Sequence, residues 1–76
     1  MKIVELKDKK ILILGFGREG KDTFLFLRKL FPKKPLAISD KNSTIARNLS
    51  DYKNVKMHLG KDYLKALKDY NVIIKS

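Results

Sequence analysis

The sequence contains no cysteine and no tryptophan, and His58 is its only histidine among 76 residues. Without cysteine the chain can form neither a disulfide framework nor a thiolate metal site. A single histidine also excludes metal sites built from histidine clusters and any scheme in which two histidines act as acid and base. We therefore expect no metal site in this chain, and we expect His58 to have a surface or edge role.

Long apolar runs are also missing. No run approaches the ~20 residues that a membrane-spanning helix needs, and residues 1–10, MKIVELKDKK, lack the apolar core of a signal peptide. These features favour a cytoplasmic protein with no membrane partner. A length of 76 residues predicts one small domain spanning residues 1–76. A chain of this length buries only roughly 60% of the surface that it exposes when unfolded, so the expected stability is marginal.

Acidic residues are scarce, with 8 Asp and Glu against 18 Lys and Arg and a formal net charge of +10. Such an excess of positive charge indicates anionic partners. The lysines are spread over every segment, however, whereas nucleic-acid-binding surfaces cluster their charge. Nucleic acid is for this reason the least favoured of the partners that we consider.

Apolar runs typical of buried strands alternate with stretches of helical periodicity along the whole chain. The predicted strands are residues 9–14, 36–39 with Asp40 at the end, 55–59 and 72–74, and the predicted helices are residues 21–30, a short helix from Ser43 or Thr44 to Leu49, and residues 61–69. This alternation predicts an α/β fold of Rossmann-like, three-layer type, β-α-β-α-β-α-β. Its sheet has about four parallel strands in the order 3-2-1-4, with helices on both faces.

Three glycines follow the first predicted strand with the spacing G-x-G-x-x-G, at Gly15, Gly17 and Gly20. In this setting the first glycine permits a tight turn and the second lets a phosphate approach the backbone. The third allows the helix to pack closely on the strand. The amides at the start of the following helix would face the phosphate, with a favourable helix dipole. The motif predicts a nucleotide-type site.

Asp40 strengthens this prediction, because it ends the second strand, where an acid can accept hydrogen bonds from ribose hydroxyls. Arg18, in the loop, would favour a diphosphate. Glu19 would repel a diphosphate unless it points outward, and we interpret it as a favourable carboxylate in the first helical turn. These residues alone leave a dinucleotide such as NAD or NADP open as the ligand.

From Lys9 to Ser76 the sequence resembles the N-terminal domain of the Mur ligases. The matching phrases are KKILILGFGREGKDTFLFL, LAISDKN and VKMHLGKDYLKALKDYNVIIKS, and the branch most alike is the UDP-N-acetylmuramoyl-L-alanine:D-glutamate ligases. In that family NVIIKS would be followed by Pro-Gly. The resemblance implies that residues 1–76 are an N-terminal piece of a longer ligase, without its ATP-binding and C-terminal domains.

The resemblance also implies site residues. In the family the glycine loop lies by the diphosphate of the UDP-linked substrate, and the end of the second strand addresses the uridine. The UDP-binding residues implied here are Gly15, Gly17, Arg18, Glu19 and Gly20 in the loop, Asp40, Lys41 and Asn42 after the second strand, and Gly60 in a later turn. Lys75 and Ser76 would lead to the Ser-Pro-Gly loop. The family has Ser or Thr where this chain has Glu19.

The expected function is thus recognition of UDP-N-acetylmuramoyl-L-alanine within an ATP-dependent, D-glutamate-adding ligase of peptidoglycan synthesis. The expected partners are this UDP-linked cell-wall precursor and the rest of the ligase chain. We assign no catalytic residue to this piece and no cofactor, because the resemblance places ATP and Mg²⁺ on the full-length enzyme. The alternative is an NAD(P)-binding module of a dehydrogenase or regulatory protein.

Overall fold

Four parallel strands form a single sheet in the computed structural model, which describes residues 6–75 and leaves residues 1–5 and 76 outside the described range. The strands are β1 (Ile11–Leu14), β2 (Leu36–Asp40), β3 (Val55–Leu59) and β4 (Val72–Lys75). Their order is β3-β2-β1-β4. The predicted α/β fold and the predicted strand order 3-2-1-4 are confirmed.

The central strand β1 is buried on both faces, as its run of four apolar residues predicts. Ile11 and Ile13 pack into the larger core cluster, whereas Leu12 packs into a smaller cluster on the opposite face. All three are at most 1% exposed. The larger cluster includes Phe24 and Leu27, which lie on the first helix. The main core therefore lies between the sheet and that helix.

This first helix, α1, spans Arg18–Leu30, so it begins earlier than the predicted residue 21. It begins directly after Gly17, which is its N-cap residue, and the whole second half of the glycine motif is therefore helical. Its end at Leu30 agrees with the prediction from Pro32. No helix among residues 6–75 is long and apolar enough to span a bilayer.

The second helical segment begins with a different cap from the one predicted. Asn42, not Ser43 or Thr44, is the N-cap residue, because its Oδ1 accepts from the Thr44 amide at 3.0 Å and from Thr44 Oγ1 at 2.7 Å. A 3-10 turn, Ser43–Ile45, then leads into the short helix α2, Ala46–Leu49. Asparagine is among the best N-cap residues, which explains the shift of the helix start.

The prediction of an α-helix over residues 61–69 is wrong. This segment consists of a turn followed by a 3-10 helix, Lys65–Asp69. The buried hydroxyl of Ser39 donates to the carbonyl of Tyr63. That carbonyl would otherwise accept from the Leu67 amide in an α-helix, and the amide instead bonds the Leu64 carbonyl at 3.3 Å. The long-range contact from β2 therefore changes the local helix type.

The prediction that β4 is buried holds only in part. Val72 and Ile74 pack against the main core, but Ile73 is 41% exposed. Neighbouring side chains on a strand point to opposite faces of the sheet. The Lys65–Asp69 3-10 helix contributes only Ala66 and Leu67 to the small cluster on the Ile73 face, and this part of the sheet stays open.

Arg28, near the end of α1, joins two loops at the amino-terminal end of the sheet. Its Nη1 donates to the carbonyls of Phe31, Pro32 and Lys34 at 3.2, 3.3 and 2.6 Å, and its Nη2 donates to those of Lys53 and Asn54, both at 3.1 Å. The guanidinium carbon also lies 5.6 Å from the ring centroid of Phe24. Arg28 thus ties the loop before β2 to the loop before β3.

His58 lies on the edge strand β3, as predicted, but it also has a partner. Its Nε2 lies 2.8 Å from the hydroxyl of Tyr70, so the two side chains share a hydrogen bond. Desolvation by burial and the positive charge of Lys56 lower the pKa of His58, against a weaker opposing effect of Asp69. Burial and the charge of Asp69 raise the pKa of Tyr70.

The lowered pKa of His58 makes the stability of the fold depend on pH. The unfolded chain binds a proton on this histidine below about pH 6.5, whereas the folded chain binds that proton only at a lower pH. Stability should therefore be fully present above about pH 6.5 and fall as the pH drops toward the lower folded pKa. Thermal unfolding between pH 7.5 and 5.5 measures this. In His58→Gln the decrease should be smaller, and an equal decrease would contradict the assignment.

Candidate functional site

The glycine loop connects β1 to α1 at the carboxyl-terminal edge of the sheet. Gly15 has a φ of +93°, in the left-handed region that glycine adopts readily. Its amide donates to the carbonyl of Ser39 on β2 at 2.7 Å. The first glycine therefore makes the tight turn that the motif predicts, and the turn is fixed to the neighbouring strand.

Asp40 fixes the same loop through its side chain. Its Oδ2 accepts from the amide of Phe16 at 2.7 Å, and its Oδ1 accepts from the amide of Asn42 at 2.8 Å. Charge-assisted bonds of this kind are stronger than neutral ones. The carboxylate predicted to address a ribose or uridine thus also joins the glycine loop to the end of β2. No local feature of the sequence indicates this contact.

The amino-terminal end of α1 is open. Gly17 is the N-cap residue and forms no side-chain cap, and a β-carbon placed on it would meet no atom within 4 Å. Gly17, Arg18 and Glu19 are exposed, and within residues 6–75 their amides have no hydrogen-bond partner. Such amides, at the positive end of a helix dipole, bind anions well.

Glu19 lies in the first turn of α1 and is exposed, in agreement with its interpretation as a helix-start carboxylate. Gly20 is buried within the helix, which agrees with its expected role in close packing. In the described part of the chain the Arg18 side chain forms no hydrogen bond or ion pair that would hold it in one position. It can therefore turn toward a bound anion.

A cleft of about 260 Å³ lies beside this loop, and its lining residues come from several elements: Leu14, Gly15, Asp40, Lys41, Tyr63 and Lys75. Gly15, Asp40 and Lys41 belong to the predicted site, whereas Gly17, Arg18, Glu19, Gly20, Asn42 and Gly60 do not line the cleft. The carboxyl ends of adjacent strands in such sheets are where ligands bind. The cleft is in the place that the fold predicts.

Tyr63 and Lys75 line the cleft but were not predicted to bind a ligand. Lys75 ends β4 directly opposite Leu14 in the sheet register, so the strand order alone could have indicated it. Tyr63 is positioned by the bond from Ser39 to its carbonyl, for which the sequence has no local signal. Gly60, with a φ of +86°, makes the turn after β3, and its amide bonds the carbonyl of Asp40 at 3.0 Å.

The charges around the cleft suit an anionic ligand. Lys41 and Lys75 are exposed and line it, and among residues 6–75 Asp40 is the only acidic residue that lines it. Both oxygens of that carboxylate already accept backbone amides. The open amides of α1 lie on the adjoining loop. The two lysines and the open amides can bind one or two phosphate groups of a ligand, and Asp40 can accept a hydrogen bond from an uncharged polar group of the same ligand.

Comparison with known proteins gives two related matches. The chain is 38% identical over 77 aligned residues to the UDP-N-acetylmuramoylalanine–D-glutamate ligase of Clostridium kluyveri, in each of two strains. The alignment covers 93% of this chain but 16% of the relative, so the chain spans about a sixth of the ligase that it matches. No family model and no solved structure matches. The chain is therefore similar to a short part of a Mur ligase.

Proposed function

We propose that this chain is the UDP-substrate recognition domain of a D-glutamate-adding Mur ligase. Its ligand is UDP-N-acetylmuramoyl-L-alanine, bound at the carboxyl-terminal edge of the sheet. The observation that carries the proposal is the open amino-terminal end of α1, with Gly17 as its N-cap residue, next to a cleft lined by Asp40 and two lysines. The similarity to the Clostridium kluyveri ligase supports it.

In this proposal the diphosphate lies against the amides of Gly17, Arg18 and Glu19, where the helix dipole and the lysines favour negative charge. Lys41 and Lys75 contribute further positive charge from the ends of β2 and β4, the two strands that flank β1. The absence of a β-carbon at Gly17 lets the phosphate approach the backbone. Each of these contributions acts on the phosphates and none depends on the sugar.

The uridine lies at the end of β2. Asp40 holds the backbone of the Asp40–Asn42 turn in place through its bond to the Asn42 amide, and Lys41 lies between them. A carboxylate oxygen has more than one lone pair, so Asp40 can accept from the ligand as well as from the amides. Amide-bond formation and the ATP and Mg²⁺ that it requires belong to the longer ligase, and no residue here is assigned to them.

Calorimetric titration of residues 1–76 with UDP-N-acetylmuramoyl-L-alanine, UDP and NAD tests the proposal. We expect the first two to bind, with the larger ligand bound at least as tightly, and NAD to show no binding. Amide chemical shifts should change at Gly17, Arg18 and Lys41. Binding of NAD in preference to UDP would replace the proposal by the dehydrogenase-type alternative.

A further inference from the structure

A second and larger cavity, of about 510 Å³, lies away from the glycine loop. Its polar lining residues are Lys9, Lys10, Lys34, Lys56, His58 and Tyr70, with Asp69 beside them. The register of β1 and β2, in which Leu12 is opposite Ala37, brings the residues before these two strands together. Lys56, on β3, lies opposite Ala37 of β2. The four lysines therefore come from the amino-terminal ends of three adjacent strands, β1, β2 and β3.

Positive charge outweighs negative charge in this basic cavity, where the described lining has four lysines and one carboxylate, Asp69. No carboxylate within residues 6–75 forms a salt bridge with any of the four lysines. Lys34 Nζ donates to the carbonyl of Lys7 at 2.8 Å, which holds its ammonium group in place and leaves two of its protons for other acceptors. Like charges gathered in this way repel each other and destabilise the fold. A bound anion would remove that repulsion.

The floor of the basic cavity is apolar and one side is aromatic. Pro35 and Ala37 contribute to the floor. On the side, the rings of His58 and Tyr70 have centroids 5.7 Å apart with an interplanar angle of 74°, and their hydrogen bond fixes both. An inorganic anion uses only the lysines, whereas a flat heterocycle also contacts this surface. Ligand sites commonly combine apolar walls with a few polar groups in this way.

We infer that this basic cavity binds a nucleoside di- or triphosphate, with its phosphates among the four lysines and its base against the apolar floor and Tyr70. The site is separate from the proposed UDP site, because it shares none of its lining residues with the cleft beside the glycine loop. The volume suits a ligand of that size, since small-molecule pockets run from ~300 to 1,000 Å³.

Binding of ADP to the chain, followed by amide chemical shifts and calorimetry, tests this inference. We expect shifts at Lys10, Lys56 and His58, and an affinity for ADP higher than for tripolyphosphate. The double variant Lys10→Gln/Lys56→Gln should bind ADP about 10-fold more weakly while unfolding at the same temperature or higher, because repulsion is removed. Lys29→Gln, which removes an exposed charge from α1, is the matched control and should leave the affinity unchanged.

Three results would overturn the inference. The first is chemical-shift changes confined to the glycine loop, which would place ADP in the other site. The second is tripolyphosphate binding as tightly as ADP, which would leave the apolar floor without a role. The third is binding of a single-stranded oligonucleotide without binding of ADP. A nucleic-acid surface of this kind would also show a steep salt dependence, with each phosphate contact adding about 0.7 to the log–log slope.

Discussion

Replacing Arg28 by alanine is expected to lower the free energy of unfolding by about 2–3 kcal/mol, since hydrogen bonds to charged groups contribute about 1.5–3 kcal/mol. The change removes donors to five carbonyls in the loops before β2 and β3. It also removes the stacking on Phe24. For a domain of this size the melting temperature should fall by roughly 8–24 °C.

Arg47→Ala is the matched control for this prediction. Arg47 lies on α2, is exposed, and its side chain forms no hydrogen bond or ion pair within residues 6–75, so its removal should change the melting temperature by little. Arg28→Lys keeps the charge but loses the planar set of donors, and we expect it to recover only a small part of the lost stability. Equal melting temperatures for the two alanine variants would contradict the role assigned to Arg28.

The second large effect is expected at Asp40. Asp40→Ala leaves the amides of Phe16 and Asn42 without their acceptor, and the glycine loop loses its attachment to β2. We expect the affinity for UDP-N-acetylmuramoyl-L-alanine to fall at least about 10-fold, which corresponds to 1.4 kcal/mol. Stability should fall as well, because a partly buried amide loses a charged partner. Calorimetry and thermal unfolding measure the two effects separately.

Two further variants show where this loss arises. Asp40→Asn keeps one acceptor oxygen and should fall between the natural chain and Asp40→Ala in both measurements. Asp51→Ala is the control, because Asp51 is exposed and its side chain has no partner within residues 6–75. If Asp40→Ala bound the ligand as tightly as the natural chain, the cleft beside the glycine loop would not be the binding site.

The fold could be predicted from the sequence because its signals are periodic and local. The apolar run from Ile11 to Leu14 indicates a strand buried on both faces, and Phe24 and Leu27 recur with helical spacing. Alternation of such segments favours a parallel sheet, and the rules on crossovers leave few strand orders. The same rules place the glycine loop and the end of β2 at one edge, which predicts where the site lies.

The parts that could not be predicted depend on contacts between residues far apart in the chain. The bond from Ser39 to the Tyr63 carbonyl changes a predicted α-helix into a 3-10 helix and places Tyr63 at the cleft. The bond from the Phe16 amide to Asp40 joins residues 24 positions apart. No sequence pattern indicates the role of Arg28, because its acceptors are backbone carbonyls, and these have no signature in the sequence.

The two cavities divide the positive charge of the chain between two places on the sheet. Lys41 and Lys75 lie at the carboxyl-terminal edge, whereas Lys9, Lys10 and Lys34 precede β1 and β2 at the opposite end. The lysines are spread along the sequence, but some of them are clustered in space, because parallel strands bring their equivalent ends together.

Substitution of Gly17 by alanine tests the central claim, phosphate recognition by the start of α1, most directly. The new β-carbon meets no atom within 4 Å and the residue has a φ of −79°, so the fold should accept it. We predict a stability within about 1 kcal/mol of the natural chain and an affinity for UDP-N-acetylmuramoyl-L-alanine reduced about 10-fold or more. An unchanged affinity, measured by calorimetry on the folded variant, would contradict the account.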